Sequence, residues 1–216
     1  MPLKDFSGFF IALALGKRRS IMKNKKLVKL IKVGVLASMA FILMFFELPL
    51  PIFPSFLKLD VSDVPALLGA FAMGPLAGVL IELIKNVLHF TVKPGMLGIG
   101  ELANFIVGSA MVVTAGSLYR HQKSKKNALI SLLAGVLVMA LVASVGNYYL
   151  FLPLYEKFLG FPISAVVQMT AKVNSAVKDP YTLIAYSIMP FNLLKGTVIS
   201  LIVFLMYKKV SPILHK

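Results

Sequence analysis

Ten polar side chains stand inside or at the edge of long apolar stretches of this sequence. Glu47, Glu82, Lys85, His89, Glu101 and Lys195 can carry charge, and Asn86, Asn104, Asn147 and Asn192 offer amides. Ionisable groups in such surroundings are costly, and they mark binding sites, transport paths or the partners of such groups. Lysine brings only hydrogen-bond donors, whereas asparagine brings donors and acceptors. Several amides with a lysine suit a neutral or weakly acidic ligand rich in carbonyls and hydroxyls. Phe53, Phe56, Tyr148, Tyr149 and Phe191 would cover a flat ring system. The competing expectation is that these groups bond to one another and fix the fold. Glu82 and Lys85 are one helical turn apart and suit a pair, and Glu47 suits an interfacial anchor.

The same residues do not make a catalyst. The chain has no paired-carboxylate or HExxH motif and no nucleophile–base arrangement. His89, His121 and His215 are scattered, and two of them lie in basic segments. There is no cysteine, which excludes disulfides, thiolate chemistry and cysteine metal sites. No metal site and no cofactor are expected, and an enzyme is disfavoured. A P-loop is absent, so any ATP hydrolysis has to come from a partner. A protein of this kind that concentrates its substrate needs either an ion gradient or such a partner.

Composition says what surrounds these residues. Hydrophobic residues make up 58% of the 216, charged residues 14%, and mean hydropathy is +0.87. A soluble domain has about 45–50% apolar and about 25% charged residues, so the chain reads as an integral membrane protein. The net charge of +15 is not spread out. Of 23 Lys and Arg, nine lie in residues 1–32, four in 120–126 and three in 207–216, with Asp5 the one acid among them. Basic clusters flanking apolar spans are the mark of cytoplasmic ends and suit an anionic inner leaflet of the bilayer. Nucleic acid is not expected, because the aromatic-interleaved basic groove of a single-strand binder is missing.

Six spans follow, with both termini cytoplasmic. Residues 1–21 contain an eleven-residue apolar run before Lys17-Arg18-Arg19. It is too short to cross about 30 Å of hydrocarbon and has the wrong charge order for a secretory signal. The expectation is a dispensable extension, with the functional protein starting near Met22. Span 1 covers 27–48. Gly34, Ala37, Ser38 and Ala40 give it a smooth patch, which suits either internal packing or docking of a partner helix. Residues 49–63, with Pro49, Pro51 and Pro54, form an outer loop. Its apolar residues, Leu59 among them, suit a lid over a pocket better than a solvated connector.

The stretch 64–90 has small residues every fourth position (Ala66, Ala70, Gly74, Gly78) and ends in Glu82, Lys85, Asn86 and His89. A short inward helix to Met73, a turn at Gly74-Pro75 and an outward helix from Leu76 are expected. One kinked helix is the alternative, but it would put the basic loop at 119–127 outside. Span 4 covers 101–118 and span 5 covers 128–152. An outer segment, 153–183, contains an interfacial helix near 165–177. Span 6 covers 183–207, interrupted at Pro190, and a basic cytoplasmic tail closes the chain at 211–216. No inverted repeat is visible, which argues against the common secondary carriers.

The stretch KLDVSDVPALLGAFAMGPLAGVLIELIKNVLHF, the MKNKKL start, GELANF, NYY and FNLLKG together resemble the substrate-binding S components of energy-coupling factor (ECF) vitamin transporters, over about 22–210. The resemblance is to those specific for riboflavin. It implies an all-α six-helix S-component fold in a single membrane domain, with riboflavin near the outer face under the loop after span 1. It also implies assembly with a transmembrane coupling protein and two cytoplasmic ATPases. The vitamin would bind outside and be released inside when the S component topples with ATP use. The candidate ligand set is Leu59, Lys85, Asn86, Glu101, Asn104, Asn147, Tyr148, Asn192 and Lys195. The family's Ala-x-x-x-Ala docking pattern is replaced by Gly34-x-x-x-Ser38, with Ala37 and Ala40 alongside. An autonomous ion-coupled carrier, or an S component for a different vitamin, is the alternative.

Overall fold

The computed structural model describes residues 24–215, so the extension expected at 1–21 lies outside the described residues. Helix α1 (Lys25–Met44) starts at Asn24, whose side chain accepts from the backbone N–H groups of Lys26 and Leu27 at 3.2 and 3.3 Å. Two orphan donors of the first turn are thereby satisfied. The proline-rich loop after α1 is closed at its base by a two-residue antiparallel ladder of β1 (Leu48–Pro49) and β2 (Lys58–Leu59). Glu47 ties the same base, 2.7 Å from Lys58 and 3.4 Å from Lys93. The loop folds inward, with Phe53 edge-to-face on Phe191 at a centroid distance of 5.3 Å.

Two helices then double back on each other, α2 (Asp63–Met73) and α3 (Pro75–Val92). Gly74 between them has φ +98°, a backbone state that side chains disfavour. Pro75 suits the first helical position, where its missing N–H is not needed. Lys85, late in α3, reaches Ser62 and Asp63 at the start of α2. The pair is therefore antiparallel, and a single kinked helix is excluded.

Helices α4 (Ile99–His121) and α5 (Lys125–Gly146) complete the first half of the bundle. Both faces of α5 are apolar. Leu129, Leu133, Leu137, Leu141 and Val145 are exposed, while Leu132, Val136, Met139 and Ala143 are buried. A helix apolar all round belongs in hydrocarbon.

Beyond α5 the structure corrects the expected boundaries. The helix does not stop at Leu152. It passes through a wide π turn (Asn147–Phe151) into α6 (Leu152–Leu159). The last span likewise begins earlier, with α8 (Pro180–Leu183), and passes through a second π turn (Ile184–Ile188) into α9 (Met189–His215). Each π turn lies just before a proline, Pro153 or Pro190. The residue before each proline bonds five positions back, Leu152 to Asn147 and Met189 to Ile184. The wider turn makes room for a ring that a regular helix would reject, so proline does not break either span. The expected interfacial helix is also shorter and earlier, α7 (Ile163–Ala171). The tail expected at 211–216 continues α9 as helix to His215.

Among the described residues, five helical stretches are long and apolar enough to cross a membrane: Lys25–Met44, Pro75–Val92, Ile99–His121, Lys125–Leu159 and Pro180–Lys208. At 11 residues, α2 is shorter than a usual crossing. Phe71 of α2 stacks on Tyr119 of α4 at 4.2 Å and meets Tyr207 of α9 at 6.4 Å. Lys125 lies 5.6 Å over the Phe204 ring. The basic connection α4–α5 and the late part of α9 thus share one end of the bundle with the α2–α3 turn. The proline-rich loop, α6, α7 and α8 lie toward the opposite end.

Candidate functional site

The start of α2, the second half of α3 and the second turn of α9 meet in a buried cluster of charges. Lys85 is completely buried, and its Nζ donates to Ser62 Oγ at 2.9 Å and to Asp63 Oδ1. It also lies 2.8 Å from Glu82 Oε2. Lys195 donates to Asp60 Oδ2 at 2.7 Å and stands 3.6 Å from Asp63 Oδ2. Ser62 joins the two halves: its hydroxyl donates to Asp60 and accepts from Lys85. The backbone N–H of Ser62 also donates to Asp60, at 3.0 Å. Burial works to raise the Asp60 carboxyl, but Lys195 and Lys85 outweigh it and hold it below the usual carboxylate range.

Local sequence explains the placement. The run Asp60-Val61-Ser62-Asp63 presents its acids where the chain enters α2. Lys85 follows Glu82 by one turn on α3, so both face the same way. Gly108 of α4 backs onto this group, because a Cβ there would lie 2.8 Å from Glu82 Oε2 and 3.4 Å from Asp63 Oδ1.

The other candidates make contacts of their own. Glu101 bonds His89 Nδ1 at 2.9 Å, and the His89 ring sits 5.2 Å from Phe45. Asn86 donates to the Glu82 carbonyl at 2.8 Å, and its Oδ1 is buried without a partner among the described residues. Asn104 Oδ1 is in the same condition. Asn147 and Asn192 each spend one N–H at 2.8 Å on their own helix, on Ala143 and Ile188. Asn147 begins the first π turn and Asn192 follows the second, and these turns touch each other. Tyr148 stands 4.8 Å from the Tyr149 ring and 5.0 Å from Tyr181. Leu59 is half-buried in the loop ladder, opposite Leu48.

The structure therefore brings Lys85 and Lys195 together through shared carboxylates, and brings Asn147 near the turn that precedes Asn192. Glu101 is occupied by His89. A cavity of about 480 Å³ opens between the proline-rich loop and α7, lined by Phe53, Ser55, Met169 and Lys172 among others. None of the nine candidates lines it.

Sequence reasoning missed Asp60 and Asp63 as partners of the lysines. The signal was there, since two lysines inside apolar spans need acids, and the α2 start supplies them. Glu82, expected as a pair for Lys85 and left out of the ligand set, is fully buried in the cluster. In the expected docking patch, Ala37 and Ala40 are fully buried, which removes them from any docking face in this conformation, whereas Gly34 and Ser38 are exposed.

Comparison with known proteins sets this arrangement in a family. The description "ECF transporter, substrate-specific component" matches residues 28–207. This chain belongs to that family. The S component is 39% identical over 189 residues to the riboflavin transporter FmnP of Bacillus subtilis (strain 168), covering 87% of this chain and 94% of FmnP. It is 34% identical over 201 residues to the riboflavin transporter RibU of Staphylococcus aureus (strain TCH60), covering 93% and 98%. Its fold is similar to a solved S component of a bacterial ECF transporter, with TM-score 0.67 and 33% identity over 87% of this chain and 98% of the other. ThiT from Listeria monocytogenes, at 18% identity and TM-score 0.58 over 89% and 99%, shares the fold. The S component is thus a multi-pass protein of the cell membrane, and its relatives are transporters rather than enzymes.

Proposed function

We propose that this S component binds riboflavin on the outer side of the membrane and delivers it inward as part of an ATP-driven ECF transporter. The observation that carries this reading is full-length similarity, at 39% and 34% identity, to two proteins named riboflavin transporters. The site supports it. Asn147 and Asn192 flank the touching π turns, and Lys195 lies one turn beyond Asn192. The proline-rich loop reaches Phe191 through Phe53 and would cover the ligand. Asn104, Asn86 and Tyr148 would add amides and an aromatic suited to a polar, flat molecule. Leu59, Lys85 and Glu101 would hold the walls.

Six passes are proposed, with α2 as a short crossing and both termini cytoplasmic. Residues 22–210 form the single membrane domain, 211–216 the cytoplasmic tail, and 1–21 a dispensable extension. The partners are a transmembrane coupling protein and two cytoplasmic ATPases, docked on the α1 face that carries Gly34 and Ser38. Riboflavin is cargo, and no resident cofactor is proposed.

The experiment is purification and transport. Protein from rich medium should be yellow, and the stripped protein should quench riboflavin fluorescence. Uptake in a riboflavin-requiring host should need the coupling protein and ATPases. A colourless protein that leaves riboflavin fluorescence unchanged overturns the ligand. Uptake without those subunits turns the assignment to an autonomous carrier.

A further inference from the structure

The buried cluster does not balance its charges. Asp60, Asp63 and Glu82 face Lys85 and Lys195, all at most 6% exposed. Three carboxylates against two ammoniums would leave one net negative charge inside the bundle. An uncompensated charge in a dry interior is far more costly than a neutral acid. No further cation faces the cluster from the described elements around it. On α4, the backing residue is Gly108, and Glu101 is engaged by His89. Beyond Lys32, α1 has no titratable side chain, and Glu47 after it bonds Lys58. Gly108 also leaves no room for an ion between itself and Glu82.

The three acids are not equally served. Asp60 accepts from Ser62, through both its N–H and its hydroxyl, and from Lys195. Asp63 accepts from Lys85 and is near Lys195. Glu82 has only the Lys85 ammonium beside one oxygen, and its Oε1 has no partner among the described residues. One turn along, Asn86 carries a buried Oδ1 that is also unclaimed.

We propose that Glu82 is a proton-binding site, so that the cluster is two carboxylates, two ammoniums and one carboxylic acid. The neutral cluster fastens the end of the lid loop, through Asp60, to α9, through Lys195. This inference does not depend on which vitamin is carried.

The test compares the wild-type protein with Glu82→Gln, which mimics the protonated acid, both in lipid nanodiscs. Infrared spectra at neutral pH should show a protonated-carboxyl stretch in the wild type that is missing in the variant. Absence of the band, or its persistence in Glu82→Gln, overturns the proposal. If the variant does not accumulate, wild-type protein with carboxyl-labelled glutamate decides: a shifted band assigns the protonated acid to a glutamate, of which Glu82 alone is buried, and an unshifted band overturns the site.

Discussion

At Lys195 the ammonium is held by Asp60 at 2.7 Å. A lysine fixed in this way is a preorganised donor, because its direction is set by the protein and not by the ligand. Asn192, one turn earlier, has one N–H committed to Ile188 and the rest of its amide free for a partner. Asn192→Ala should therefore weaken riboflavin binding by about 1–3 kcal/mol, the scale of a lost buried hydrogen bond. Lys195→Ala should do so too, and should also lower thermal stability, since Asp60 would be left buried without its cation. Fluorescence quenching measures the first effect and thermal unfolding the second. Unchanged affinity in both variants removes α9 from the site.

Among the elements, α1 has two faces with different work. Ala37 and Ala40 are closed against the bundle, and Gly34 and Ser38 are open beside a groove of about 490 Å³ formed by α1, α2 and α9. A bulky side chain tells the faces apart. Ser38→Trp should leave riboflavin affinity intact and abolish uptake in cells, because it obstructs the docking face alone. Ala37→Trp should instead destabilise the fold by at least about 1–3 kcal/mol through overpacking, with binding and expression falling together. Full uptake in Ser38→Trp would show that this face is not the docking face. The two proline-containing spans teach a related lesson. Pro153 and Pro190 suggest breaks in the sequence, yet each is absorbed by a π turn, and those turns bring Asn147 toward the region of Asn192.

For the whole molecule, sidedness is the property to measure, and the absence of native cysteine makes it accessible. Lys93 and Lys123 are exposed at the two ends of α4, Lys93 before it and Lys123 after it. With six passes, a Lys93→Cys variant reacts with a membrane-impermeant maleimide on intact cells. A Lys123→Cys variant reacts only after the cells are opened. The opposite pattern would invert the proposed sidedness and place the basic loop outside.

Much of this was legible in the chain itself. Mean hydropathy, the clustered Lys and Arg and the lone polar residues in apolar runs suffice for a membrane bundle with an internal polar site. Gly74-Pro75 marked the turn between α2 and α3, because a left-handed backbone state and a helix-starting proline are local properties. Helix boundaries near Pro153 and Pro190 were not legible, since a π turn depends on neighbours that stabilise a wider backbone ring. The partners of Lys85 and Lys195 were not legible either. Asp60 and Lys195 are 135 residues apart in the chain, and only the packing of α2 between α3 and α9 joins them. Sequence decides which residues are costly to bury; tertiary structure decides which of them neutralise one another.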